Sequence, residues 1–130
     1  MSRKKILMVD DAATILMMEK MFLSREPYDL ITAKDGQEAV EKAESERPDL
    51  ILMDIVMPKM DGFEAVQKIR ENEATKSIPI IMVTTRGEEK NMEKGYKNGC
   101  NDYVTKPINS SELLTKIRNF LEERVGHAAS

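Results

Sequence analysis

Three carboxylates and one ammonium stand where apolar runs of this chain stop. Asp10 and Asp11 follow "KILMV", Asp54 closes "LILMD", and Lys106 follows "DYVT". The stretch Leu50–Gly62, "LILMDIVMPKMDG", is apolar up to Asp54 and then breaks into a loop marked by Pro58 and the pair Asp61-Gly62. A carboxylate buried there is costly without a partner, so another part of the chain must meet it. Thr84 and Thr85 end one more apolar run, "PIIMVTT". Brought together, three carboxylates repel one another unless a cation sits among them. An all-oxygen set favours Mg²⁺ over Zn²⁺, and the one histidine, His127, lies in the tail. A bare ion-pair cluster is the bland alternative. Against it, Asp10, Asp11, Asp54, Thr84 and Lys106 all fall at the ends of four separate strands.

The elements that must position these groups alternate in type. Lys5–Val9, Tyr28–Ala33, Leu50–Asp54, Pro79–Thr85 and Asp102–Thr105 read as strands, with helix-patterned segments between them. The clearest helix holds Leu113, Ile117, Phe120 and Leu121, with Asn109 as N-cap and Glu112 placed for a capping box. "DGQEAVEKAESER" and "DGFEAVQKIREN" resemble each other because each starts a helix after a strand. Strict alternation predicts an α/β protein: a flavodoxin-like, doubly wound, five-stranded parallel sheet of order 2-1-3-4-5 with five helices. Ligands in such sheets sit outside the carboxyl ends of the strands, where the five polar groups fall.

At 130 residues the chain has the size of one domain. Its net charge of −3 offers no case for direct nucleic-acid or membrane binding. One cysteine, Cys100, fits a reducing, cytoplasmic setting and suits a packed, inert thiol before strand 5. No apolar run is long enough to span a bilayer.

In that order and spacing, "MVDD", "LILMDIVMPKMDGFE", "IIMVTT" and "DYVTKPI" resemble the receiver domain of bacterial two-component response regulators, the CheY-like family, from Lys5 to about Glu123. The resemblance implies a phosphorylatable switch, not an enzyme. A histidine kinase or phosphotransfer protein would donate its phosphoryl group to Asp54. Asp11 would bind Mg²⁺ directly, Asp10 largely through water, and the Val56 carbonyl would add a ligand. Thr84 would hydrogen-bond the phosphoryl group and Lys106 would pair with it. Thr84 and Tyr103 match the switch positions, and the Lys106-Pro107 bond is expected to be cis. The domain would span residues 1–125, with 126–130 a short tail and no output domain. On that reading it is a stand-alone regulator, in chemotaxis or motility for example. It would signal by protein contacts through helix 4, strand 5 and helix 5, a face that also serves homodimers. The alternative is a receiver cut from a larger DNA-binding or enzymatic regulator.

Two other classes fail on single features. An aspartyl phosphohydrolase of the haloacid-dehalogenase kind needs a second carboxylate where Val56 stands, and a flavodoxin needs a hydroxyl-rich phosphate loop where "DDAAT" stands. Thr85 is bulkier than the small residue many receivers carry; it either narrows donor access or packs on the sheet edge. Val56 and Arg86 occupy the positions that tune hydrolysis in the family. In helix 1, Ile15, Met18 and Phe22 form a stripe facing the sheet. Met17 and Met21 point elsewhere, either tucked against helix 5 and the loops or forming a docking patch for the donor.

Overall fold

Short unbroken aliphatic runs, buried on both faces, build the sheet, and helices cover it. The computed structural model describes residues 3–85, 88 and 91–121. The order is β1 (Lys4–Val9), α1 (Ala13–Leu23), β2 (Tyr28–Ala33), α2 (Gly36–Glu46), β3 (Leu50–Asp54), α3 (Gly62–Glu71), β4 (Ile80–Thr85), α4 (Met92–Asn98), β5 (Asp102–Lys106) and α5 (Ser110–Leu121). The strands lie in the order β2-β1-β3-β4-β5, every pair parallel. This is the flavodoxin-like order the alternation predicted. β4 starts one residue later than expected, because Pro79 has no N–H to enter the ladder, although its carbonyl accepts from the Ile51 N–H at 2.9 Å. β5 runs one residue further, to Lys106. Residues 122–130, which include the expected tail, and Arg86 lie outside the described residues.

Both faces of the sheet are covered. Leu7, Val9, Ile51, Met53, Ile80 and Met82 pack with the alanines of α2 and with Val66 and Ile69 of α3. Ile6, Met8, Leu50, Leu52, Ile81, Val83 and Val104 pack with Leu23 of α1 and with Leu113, Ile117 and Leu121 of α5. Successive side chains of a strand alternate faces. Continuing the period places Asp10 with Met8, Asp54 with Leu52 and Lys106 with Val104, all on the α1/α5 side. The register Val9↔Met53, Asp54↔Val83 and Thr85↔Lys106 brings these ends to one level.

The two Asp-Gly pairs have a common cause and separate consequences. Asp35 and Asp61 are helix N-caps whose carboxylates accept from the N–H groups of Glu38 and Glu64, and Asn109 caps α5 through the Glu112 N–H. A Cβ on Gly36 would stand 2.3 Å from the Met60 carbonyl, and one on Gly62 would stand 2.3 Å from the Asp54 carbonyl. Both glycines therefore let backbone pack on backbone around the loop that follows β3.

Helix α1 keeps part of its expected stripe: Met18 and Phe22, half-buried, pack against the α1/α5-side core, whereas Ile15 is half-buried outside that cluster, and the fully buried positions are Glu19 and Leu23. Met17 and Met21 are 63% and 68% exposed, so they do not tuck against helix 5 or the loops. Glu19, by contrast, is 1% exposed, and burial pushes its carboxyl up from 4.5 to about 8, helped by the negative charges of Asp10 and Asp54. Folded chain thus holds a proton that unfolded chain releases above about pH 4.5. Stability contributed here is full below that value and is lost as pH rises toward 8, by up to about 1.4 kcal/mol per pH unit. Glu19→Met, similar in shape and apolar, is expected to stabilise the fold, with the gain larger at pH 8 than at pH 5. Urea unfolding at the two pH values measures it; an equal gain at both would contradict the burial argument.

Candidate functional site

Four strand ends and the loop after β3 assemble the site. Asp54 is the last residue of β3 and is 5% exposed, although it carries a carboxylate. The partner its burial demands is Lys106 at the end of β5. The Lys106 ammonium lies 3.2 Å from Asp54 Oδ1 and 3.5 Å from Asp10 Oδ2. Asp10, 1% exposed, also accepts from the Ala12 N–H through Oδ1 at 2.8 Å, which fixes the turn into α1. Asp11 is exposed, on the solvent side of the cluster. Behind the acids, Gly62 donates its N–H to the Ile55 carbonyl at 2.8 Å, so the loop closes directly against the end of β3.

One carboxylate oxygen each from Asp10, Asp11 and Asp54 lies within 4.8 Å of the others. They front an open cavity of about 300 Å³ whose wall includes Val56, Thr84, Thr85, Glu88 and Lys106. Three carboxylates against one ammonium leave an excess of negative charge. The donors are hard oxygens, two buried and one exposed, with room for water beside them. That set fits Mg²⁺, which keeps several waters and takes one or two carboxylates. Among the described residues no thiol or imidazole donor of a zinc site joins it.

The electrostatics follow from burial. Desolvation, reinforced by the Asp10 charge, pushes the Asp54 carboxyl up to about 6, against the pull of Lys106. Desolvation raises Asp10 as well, against the Ala12 N–H and Lys106. Burial works to lower the Lys106 ammonium, but the Asp54 and Asp10 charges outweigh it and hold it above the usual lysine value.

The remaining sequence candidates fall at the rim or beside it. Thr84 is buried and its hydroxyl donates to the Thr85 carbonyl at 3.3 Å. Thr85 is exposed and does not pack on the sheet edge; its hydroxyl donates to Glu88 at 2.9 Å. Glu88 was not singled out in the sequence, since a glutamate three residues past a strand carries no pattern of its own. Val56 is 63% exposed at the cavity mouth. Tyr103 is half-buried in β5, its ring edge-on to Tyr96 at 6.5 Å and 5.4 Å from the Lys116 ammonium. The Lys106-Pro107 peptide is cis. Cys100 is buried, and burial pushes its thiol up to about 11, which leaves it inert at neutral pH.

A doubly wound sheet with an acidic trio and a lysine at the carboxyl ends of its strands defines the class, a CheY-like receiver. The chain belongs to the response regulator receiver domain family, whose model matches residues 6–118. It is 42% identical over 118 residues to the alkaline phosphatase synthesis transcriptional regulatory protein PhoP of Bacillus subtilis, covering 91% of this chain and 48% of that protein. It is 43% identical over 117 residues to the transcriptional regulatory protein ResD of the same organism, covering 90% and 48%. The chain therefore spans about half the length of these relatives. Among solved structures it is similar to the chemotaxis protein CheY4 of Vibrio cholerae, with a TM-score of 0.85 at 35% identity over 92% of this chain and 99% of that one. The receiver domain of a sensor histidine kinase from Pseudomonas aeruginosa gives a TM-score of 0.85 at 31% identity over 93% and 99%, and has a magnesium ion coordinated in its active site cleft. Phosphorylation and Mg²⁺ binding are general properties of this family of signalling proteins.

A carboxyl that must lose its proton before it binds a cation makes affinity fall with pH. Mg²⁺ affinity, read from tyrosine fluorescence or NMR shifts, is expected to weaken by about tenfold between pH 7.5 and pH 5 as Asp54 takes up its proton. Asp11→Ala is expected to weaken it at both. A dissociation constant independent of pH, or undiminished in Asp11→Ala, would refute the assignment.

Proposed function

We propose that this receiver is switched by transfer of a phosphoryl group from a phosphohistidine to Asp54. The observation that carries the reading is the buried Asp54 carboxylate at a strand end, beside two further acids and facing Lys106 at 3.2 Å. An Asp54 oxygen attacks phosphorus, the nitrogen–phosphorus bond of the donor breaks, and its electron pair stays on the imidazole. Asp10, Asp11, Asp54 and the Val56 carbonyl would hold Mg²⁺, which supplies charge neutralisation for the phosphoryl oxygens. Lys106 pairs with the phosphoryl oxygens as they arrive, and the Thr84 hydroxyl turns from the Thr85 carbonyl to donate to them. The structural elements around Asp54 keep the nucleophile at one orientation, which is the protein's main contribution to such a transfer.

Donor and output use different surfaces on this reading. Exposed Met17, Met21 and Val56 supply adaptable apolar contacts for a histidine kinase or phosphotransfer helix. Thr84 and Tyr103 pass the change to the face of α4, β5 and α5, where Tyr103 already meets Tyr96 and Lys116. The likeness to CheY4 over 99% of that chain supports signalling as a separate receiver. The likeness to transcriptional regulators of about twice the length supports a second reading, in which the same face docks on an attached DNA-binding half.

Asp54→Asn is expected to abolish phosphorylation by acetyl phosphate and decoration by beryllofluoride in the presence of Mg²⁺. Equal labelling of the variant, measured by intact mass, would show that the acceptor lies elsewhere.

Hydrolysis of the aspartyl phosphate needs a water held in line by a polar neighbour. The Val56 side chain has no polar atom to hold one. Slow self-dephosphorylation is expected, and Val56→Asn is expected to accelerate it several-fold. Decay of phosphorylated protein after removal of the donor tests this, and an unchanged rate would mean that position 56 does not set the lifetime.

A further inference from the structure

Glu19 is 1% exposed among the side chains that α1 and α5 lay on the sheet, and its Oε1 has no hydrogen-bond partner among the described residues. Phosphoryl transfer as derived above makes no use of it. A buried polar atom left without a partner costs free energy comparable to a lost hydrogen bond, so the position needs a reason. The charged groups whose fields act on it are Asp10, Lys106 and Asp54. All three lie on the α1/α5 side of the sheet by strand period, as Glu19 does. Lys106 is the one cation of the three. Its ammonium has three N–H donors but, among the described residues, only two contacts, at 3.2 and 3.5 Å, longer than a tight charge-assisted bond of about 2.8 Å. A spare donor and a spare acceptor thus flank the same pair of carboxylates.

We propose that Glu19 is a positioning residue for Lys106, giving its ammonium a third hydrogen-bond acceptor, on the interior side of the site. Without a cation the ammonium sits between Asp54 and Asp10. A divalent cation competes for those carboxylates, and the released ammonium turns inward to Glu19 Oε1. It stays at the inner rim, within reach of an arriving phosphoryl group, and the cation binds more tightly because the lysine it displaces has a seat. The inference rests on the reading of Asp10, Asp11 and Asp54 as a Mg²⁺ site.

The test is Mg²⁺ titration of the full chain in wild type, Glu19→Met and Glu19→Gln, each also in a Lys106→Met background. The side-chain NMR signal of Lys106 is followed wherever that lysine is present. Glu19→Met removes the acceptor and is expected to weaken Mg²⁺ binding about fivefold, the factor one hydrogen bond of ordinary net strength gives. It should also reduce the Mg²⁺-induced shift of the Lys106 signal. Glu19→Gln keeps a carbonyl acceptor and is expected to restore both. In the Lys106→Met background, Glu19→Met is expected to change nothing. Equal affinities in all three forms, a Gln variant as weak as the Met variant, or a loss that persists without Lys106 would overturn the inference while leaving the metal site standing. No Mg²⁺ response in wild type would overturn the metal site, and this inference with it.

Discussion

The contact between the Lys106 ammonium and the buried pair Asp54 and Asp10 is the constraint on which the rest of the structure depends. The three residues come from β5, β3 and the position just past β1, so their meeting requires the strand order, the parallel register and the common face together. A slip of one residue in any of these strands would turn its charged end to the opposite face. Removing the lysine would leave two buried carboxylates without a counter-charge, the situation that makes breaking a buried pair far more damaging than never having built it. The ion pair is therefore a weak source of net stability and a strong source of specificity for this one arrangement.

The loop after β3 answers to the same constraint from the backbone side. Asp54 can end a buried strand only if the chain leaves at once and does not cover it. Gly62 makes that possible by resting on the Asp54 carbonyl, where any side chain would collide, and Asp61 then starts α3 by capping it. Gly36 performs the corresponding service for the Met60 carbonyl, so the second half of the loop is seated on the start of α2. The two Asp-Gly pairs, similar in sequence, are thus two halves of one support for the end of β3 and Asp54.

Function and stability pull against each other at this edge. Asp54 up to about 6 and Glu19 up to about 8 are both carboxyls placed where burial disfavours their charge. Local rules of core composition are broken here and kept elsewhere in the sheet, the pattern expected where a site rather than packing selects the residue. A receiver held in this state is poised. A cation would relieve the excess negative charge, and on the reading proposed above the carboxylate that completes its site is also the one that takes the phosphoryl group.

The sequence alone determined the alternation of strands and helices, and with it the doubly wound sheet, because short unbroken apolar runs and helical periods are local properties of the chain. It also determined which edge gathers the polar groups, since Asp10, Asp11, Asp54, Thr84 and Lys106 each announce themselves as polar residues closing an apolar run. Helix α1 was legible only in outline. A charged residue reads as solvent-facing, so Glu19 dropped out of the expected stripe, and Met17 and Met21 read equally well as packed or exposed. Only tertiary structure decided these, because burial on a helix depends on the angle at which it meets the sheet and on what α5 leaves open. The same holds for the glycines: the Asp-Gly spelling marks a turn, but the carbonyl that excludes a side chain comes from a segment distant in sequence. Distances between strand ends, and hence which acid shares the lysine, exist only once the strands are paired in register.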